Sequence, residues 1–97
     1  MIPGTTTKIS EELITAAATI NPTKDLVRLT GTTSIATINP GHFGGGFSGI
    51  LIIVPTGGNV ATLTTGNIAV AVTMPDKRAT VLVFSKTTGV WYPGAIS

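Results

Sequence analysis

The chain has 97 residues, of which 42% are hydrophobic and only 10% are charged, with a formal net charge of +2 and no cysteine. A chain of this length supports one hydrophobic core and hence one domain. The lack of cysteine excludes disulfides and thiolate metal ligands. The cations are scattered, with only Lys77 and Arg78 adjacent, so no basic stripe for nucleic acid is predicted. A surface with so few charges favours coverage by a partner, and we expect an oligomer.

Residues 1–8 combine Pro, Gly and Thr without periodicity, which predicts an N-terminal arm ahead of a single β domain at 9–97. Ile2 and Pro3 in this arm are candidate contact residues, because an ordered arm needs a partner. The segment Leu13–Ile20 is too short and follows two acids, the wrong flank for a signal peptide. The longest aliphatic run, Ile50–Val54, is too short to span a bilayer, so no membrane partner is expected.

Residues 10–20 leave helix and strand equally open. Ser10, followed by two glutamates, could cap a helical turn. The β-branched Thr15, Thr19 and Ile20 favour a strand instead, and Pro22 ends either element.

From Asp25 onward, β-branched runs alternate with Gly, Pro and Asn breakers. This pattern predicts an all-β domain of short antiparallel strands, a small β-sandwich or jelly-roll-like barrel. The predicted strands are Leu26–Thr30, Ser34–Ile38, Gly49–Val54, Ala61–Thr64, Ile68–Met74, Thr80–Ser85 and Val90–Tyr92.

Three of these segments carry further information. Ile50–Val54 and Val81–Phe84 are apolar on both faces, so each is predicted to lie centrally and to be covered on both sides, by the core or by a neighbouring subunit. In residues 68–74 large and small side chains alternate, which predicts one strand with Ile68, Val70, Val72 and Met74 on the same face.

One sequence repeat is perfect: ATINP at residues 18–22 recurs at 36–40. The 18-residue offset suits the coil of a triangular β-helix, which is the alternative fold. The simpler interpretation is that each Asn-Pro ends a strand and begins a similar turn.

No arrangement of residues supports catalysis. Residues 44–49 match GxGxxG, but a β run follows the glycines where a dinucleotide site needs a helix, so no cofactor is predicted. His42 is the single histidine and the acids are few and distant, which argues against a metal site or a general base. There is no G-x-S-x-G motif. We therefore expect no enzyme, no metal and no small-molecule substrate.

The remaining candidates are contact residues. His42, Phe43 and Phe47 flank the glycine loop, and the two phenylalanines suit apolar knobs that enter a neighbour's pocket. Lys77 and Arg78 are predicted at the tip of a turn, where they could meet an acidic partner surface. Trp91 and Tyr92 could stack on a sugar, although a tryptophan that closes a hairpin onto the core is favoured. Aromatic and cationic residues are not interleaved, which argues against nucleic acid.

The C-terminal two thirds of the chain resembles β modules of tailed-bacteriophage structural proteins. The resemblance covers residues 34–93 and is carried by SIATINP at 34–40, GILIIV at 49–54, ATLTTGNI at 61–68, VLVF at 81–84 and GVWYP at 89–93. Such modules occur in capsid decoration (cement) proteins and in trimeric tail-fibre or spike segments. A chain of this size suits decoration rather than a fibre.

The resemblance implies a homotrimer that bridges and stabilises neighbouring major capsid protein subunits. It implies a location on the capsid surface of the virion after synthesis in the host cytoplasm. The arm at 1–8 and the loop at 40–49 are the candidate capsid contacts. Two alternatives stay open: a tail-fibre, tail-spike or baseplate module that contacts a host glycan, and a carbohydrate-binding module.

Overall fold

A computed structural model of the chain describes residues 9–40 and 48–94, and these contain strands but no helix. The strands are β1 (Glu11–Thr15), β2 (Thr19–Ile20), β3 (Leu26–Thr30), β4 (Thr37–Ile38), β5 (Gly49–Pro55), β6 (Val60–Ala61), β7 (Thr73–Met74), β8 (Thr80–Ser85) and β9 (Val90–Pro93). The all-β prediction is confirmed. Residues 10–20, left open by the sequence, contain β1 and β2. The predicted arm with Ile2 and Pro3 lies outside the described residues, so its boundary with the domain stays a prediction.

The local patterns located four of the nine described strands to within one residue, whereas of the predicted Ala61–Thr64 only Ala61 lies in a strand, β6. β3 and β8 have the predicted bounds, while β5 and β9 each extend one residue further. In Ser34–Ile38, only Thr37–Ile38 is a strand, and Ile35 forms an isolated parallel bridge to Thr62.

Five strands form the main sheet, in the order β1-β3-β5-β8-β9. β1, β3 and β5 are parallel, whereas β5, β8 and β9 are antiparallel. The prediction of antiparallel strands is therefore confirmed for β5–β8, β8–β9 and β6–β7, and it is wrong for β1–β3, β3–β5 and β2–β4. The physical reason is the connection between strands: the chain leaves β1, passes through β2 and returns to begin β3 in the same direction, as parallel pairing requires.

The two copies of ATINP stack on each other. Thr19 pairs with Thr37 and Ile20 with Ile38, in parallel register. The Asn39 side-chain amide donates to Asn21 Oδ1 at the same 18-residue offset. As the simpler interpretation predicted, each Asn-Pro follows a short strand. The two repeated strands also pair with each other, which a mere repetition of similar turns would not require.

The core is formed by the main sheet together with the two short sheets, β2–β4 and β6–β7. The inward side chains of the main sheet and those of the short sheets belong to one buried cluster: Val27, Leu29, Leu51, Ile53, Leu82 and Trp91 from the former, and Ile20, Ile38, Val60 and Met74 from the latter. Successive residues of a strand point to opposite faces, so the outward side chains of β5 and β8 leave this core.

The prediction of a single strand over Ile68–Met74 is wrong. Only Thr73–Met74 is a strand, and Val70 is 53% exposed, although it was expected to share a face with two buried residues. The two ends of the segment pair with different partners. The Ala69 N–H donates to Trp91 O, whereas the Thr62 hydroxyl donates to Val70 O and accepts from the Val72 N–H. These bonds turn the backbone and aim Val70 at solvent.

Candidate interface

The outward side of the main sheet carries a continuous apolar surface, here called the outer face. Ile50 on β5 lies opposite Val83 on β8, and Val83 lies opposite Tyr92 on β9. Ile50 is 55% exposed and Val83 44%, and Val81 and Tyr92 are exposed to a similar degree. The central position predicted for β5 and β8 is confirmed. The core covers one side of these strands, and in the single chain the other side faces outward.

The outer face continues across Ile52, which lies beside Val81 on one strand and Leu26 on the other. Next to this row is a depression lined by Ile9, Asp25, Gly49, Ile50 and Ile52, in which Asp25 is the acidic residue. Sequence reasoning missed this depression, because it joins Ile9 to strands that are distant along the chain.

The β1 end of the outer face carries an ion pair. Arg28 Nε lies 2.8 Å from Glu11 Oε2, and the two side chains are about half exposed. Cross-strand pairing brings them together, since Arg28 lies opposite Leu13 and Glu11 opposite Leu26. The two charges neutralise each other, so this end of the face adds no net charge to the apolar surface.

Glu12 holds the turn that leads into β3. Its carboxylate accepts hydrogen bonds from the backbone N–H groups of Thr23 and Lys24, the latter at 2.8 Å, and from the Thr23 hydroxyl. Desolvation by burial acts to raise the pKa of Glu12, but these hydrogen bonds favour the carboxylate more strongly and lower the pKa below its ordinary value. Through these bonds Glu12 ties the turn at Thr23 and Lys24 to β1.

Trp91 and Tyr92 point in opposite directions. Trp91 is fully buried, its Nε1–H donates to Ile38 O at 2.9 Å, and its ring centroid lies 5.2 Å from that of Phe84. The favoured core position of Trp91 is therefore confirmed. The alternative prediction, that Trp91 contacts a partner or a sugar, is wrong, because its side chain has no exposed surface. Tyr92 faces outward and its hydroxyl donates to Thr88 Oγ1 at 2.9 Å.

The structure places Lys77 and Arg78 in the turn between β7 and β8, with both side chains exposed as predicted for a turn. Lys77 has a positive φ of 61°, and its N–H donates to Pro55 O at 2.8 Å. The Asp76 carboxylate accepts from the Gly58 N–H. This turn lies at the end of β5 and is not part of the outer-face row formed by Ile50, Val83 and Tyr92.

His42, Phe43 and Phe47 lie outside the described residues, so their role as contacts stays a prediction. Of the glycine loop, the structure describes Ser48 and Gly49, and Ser48 Oγ accepts a hydrogen bond from the Lys86 N–H. Gly49 begins β5, which agrees with the interpretation that the glycines lead into a strand rather than a helix.

Across residues 9–40 and 48–94, no cluster of three or more His, Asp or Glu side chains is arranged to hold a metal ion. In the same part of the chain there is no helix with the length and hydrophobicity needed to cross a lipid bilayer.

Comparison with known proteins gives no match for this chain, whether to a family model, to a characterised protein or to a solved structure.

Proposed function

We propose that this chain is a structural virion protein of a tailed bacteriophage, a capsid decoration protein. Its copies associate as a homotrimer through the outer face and bind neighbouring subunits of the major capsid protein. The observation that carries the proposal is the outer face itself. It leaves Ile50, Val83 and Tyr92 about half exposed in one uncharged row across three strands.

Burial of this row supplies the driving force for association. Complete burial of one large aliphatic side chain stabilises by about 1.5–3 kcal/mol, so covering a half-exposed one contributes about half of that. The contribution of each copy is modest. A decoration protein acts through many copies that bind the assembled shell and not the free subunit, and their contributions add on the lattice.

The charge distribution supports association between identical copies. Two outer faces that meet place an ion-paired Glu11 and Arg28 on each side, so no like-charge repulsion opposes the contact. Closed symmetric assemblies are the usual form of homo-oligomers, and a three-fold axis lets each copy share its outer face with two neighbours.

The finer architecture belongs to the same proposal. Two layers of strands around one core correspond to a small β-sandwich, and the stacked ATINP strands add a short β-helix-like segment at its N-terminal side. The phage resemblance at 34–93 spans β4 to β9, which include the strands with Ile50, Val83 and Tyr92 on the outer face.

The test is addition of the purified protein to capsids that lack decoration. We expect a mass of three chains, or of a multiple of three, by native mass spectrometry, together with saturable binding to the capsids and a gain in their heat resistance. Val83→Lys places a charge in the centre of the outer face and should abolish the trimer. Val70→Lys is the matched control, because Val70 is equally apolar and 53% exposed but lies outside the main sheet. Failure of the unmodified protein to bind the capsids would contradict the proposal.

The glycan-binding alternatives depended partly on an exposed tryptophan. Because Trp91 is buried, Tyr92 is the member of that pair left for stacking on a sugar. A glycan-array signal that disappears in Tyr92→Ala would favour a tail-fibre, spike or carbohydrate-binding module over capsid decoration.

A further inference from the structure

The edge of the main sheet at β1 is a surface separate from the outer face. β1 is the terminal strand of the main sheet and, among the described residues, pairs with β3 alone. The Leu26 N–H donates to Ser10 O, and the Ala16 N–H donates to Thr30 O. In a parallel ladder, alternate residues bond to one neighbour. The even-numbered residues of this stretch therefore bond to β3, and the backbone groups of Glu11, Leu13 and Thr15 point away from the sheet.

The opposite edge of the sheet is closed. The Trp91 N–H donates to Asn67 O, and the Ala69 N–H donates to Trp91 O, so the segment around Ile68 occupies the outer side of β9. Within the part of the chain that the structure describes, the main sheet is thus open at β1 and capped at β9.

The charged residues of β1 are both engaged within the chain. Natural sheets guard an exposed edge with charged side chains, lysine above all, with proline or with a β-bulge. Here Glu11 is paired with Arg28, and the Glu12 carboxylate binds the Thr23–Lys24 turn. The sequence of β1 is EELIT, and all five residues pair with β3 in unbroken register. Leu13, in the centre, is a large apolar residue that is 53% exposed. An edge without lysine, proline or a bulge, whose glutamates are both bound within the chain, is a template for another strand.

We propose that the free edge of β1 pairs with β1 of a second copy, antiparallel, about a two-fold axis at Leu13. Leu13 then lies opposite Leu13 of the second copy, and Glu11 lies opposite Thr15 in both directions. These are the residues whose backbone groups bond to none of the described strands, so each opposed pair exchanges two hydrogen bonds. The two main sheets become one continuous sheet, and the two outer faces adjoin each other.

The charges fit a second copy. The two Glu11 residues lie on opposite sides of the two-fold axis, four residues apart along the strands, which is about 13 Å. This separation exceeds the Debye length of about 8 Å at physiological ionic strength, so their repulsion is largely screened. Each Glu11 also keeps the Arg28 of its own chain. The pairing goes beyond the proposed function, because it uses backbone groups that association through the outer face leaves free.

Disulfide trapping tests the register directly, because the chain contains no cysteine. Opposed residues in a hydrogen-bonded antiparallel pair have Cα atoms about 5.5 Å apart, within disulfide range. Under mild oxidation at micromolar concentration, Leu13→Cys should form covalent dimers at least tenfold faster than Val70→Cys, whose position is equally exposed. Equal rates for the two variants would overturn the proposal.

A backbone variant provides the second measurement. Leu13→Pro removes an N–H that points away from β3, so the pairing within the chain keeps its hydrogen bonds while the edge is blocked. We expect the dissociation constant of the dimer to rise at least tenfold in sedimentation, with the thermal midpoint of the diluted monomer nearly unchanged. An unaltered dissociation constant in a folded Leu13→Pro protein would also overturn the proposal.

The capsid assay separates this inference from the proposed function. Trapping through Leu13→Cys without any capsid binding by the unmodified protein would support the edge pairing and contradict the virion role. Capsid binding by the unmodified protein, with equal trapping rates for Leu13→Cys and Val70→Cys, would support the virion role and contradict the edge pairing.

Discussion

Trp91 joins the main sheet to the β2–β4 sheet. Its indole N–H donates to Ile38 O, which also accepts from the Asn67 side-chain amide at 2.7 Å. The ring packs against Phe84 within the core. One fully buried residue thus connects β9, β8 and the stacked ATINP strands.

The first prediction concerns this residue. Trp91→Phe should lower the free energy of unfolding by about 2 kcal/mol, through lost volume and a lost hydrogen bond. Tyr92→Phe, the matched control, loses only an exposed bond to Thr88 and should cost less than about 1 kcal/mol. Urea unfolding followed by circular dichroism measures both. Equal costs would contradict the assignment of Trp91 to the core.

Glu12 gives the second prediction, a pH dependence. Its pKa is lowered in the folded chain, so the carboxylate stabilises the fold above the ordinary glutamate pKa. This contribution is lost as the pH falls through the lowered value. Glu12→Gln should therefore have a lower thermal midpoint than the unmodified protein at pH 7, and the difference should shrink toward pH 3. A difference that grows on acidification would contradict the hydrogen bonds to Thr23 and Lys24.

At the scale of elements, the segment around Gly66 packs tightly against the β4 strand. A Cβ atom at Gly66 would overlap Ala36 O and Thr37 Oγ1. The Asn67 side chain bonds to both the N–H and the C=O of Ile38. This close approach requires glycine at position 66. It lets the Asn67 side chain reach Ile38 in the stacked ATINP strands.

The third prediction follows from that contact. Gly66→Ala should destabilise the chain by about 3 kcal/mol, because backbone atoms on both sides must move. Gly89→Ala is the control: Gly89 has a φ of +72° but no neighbour within 4 Å of the added atom, so only the backbone strain of about 1 kcal/mol is expected. Chemical denaturation of the two variants compares them, and a smaller cost at Gly66 than at Gly89 would contradict this packing.

Elements were predictable from the sequence where local signals agreed. β3 and β8 are runs of apolar and β-branched residues between clear breakers, and their predicted bounds were confirmed. Ile68–Met74 alternates more regularly than either, yet the Thr62 hydroxyl and the Trp91 backbone bind its two ends in different directions. The conformation of that segment was thus set by hydrogen-bond partners outside it, one of which, Trp91, lies far along the chain.

The whole molecule has few charges on its surface. The exposed Arg28–Glu11 ion pair contributes at most about 1 kcal/mol. Stability and association must therefore depend on apolar burial, which salt does not screen.

The fourth prediction uses this property. Raising NaCl from 0.05 to about 1 M should shift the thermal midpoint by less than about 4 °C and should not weaken self-association. Differential scanning calorimetry and sedimentation in the two buffers measure these effects. Loss of the oligomer in high salt would show that charges hold the copies together, contrary to the role proposed for the outer face.

The sequence by itself determined the all-β class, the bounds of β3 and β8, the central positions of β5 and β8, and the core position of Trp91. These depend on periodicity, breakers and side-chain polarity, which act over a few residues. Tertiary structure alone decided that β1, β3 and β5 are parallel, that the ATINP strands stack, that the outer face is continuous and that β1, among the described strands, pairs along one edge only. Each of these depends on which strand lies beside which, and that choice is made by contacts between residues far apart along the chain.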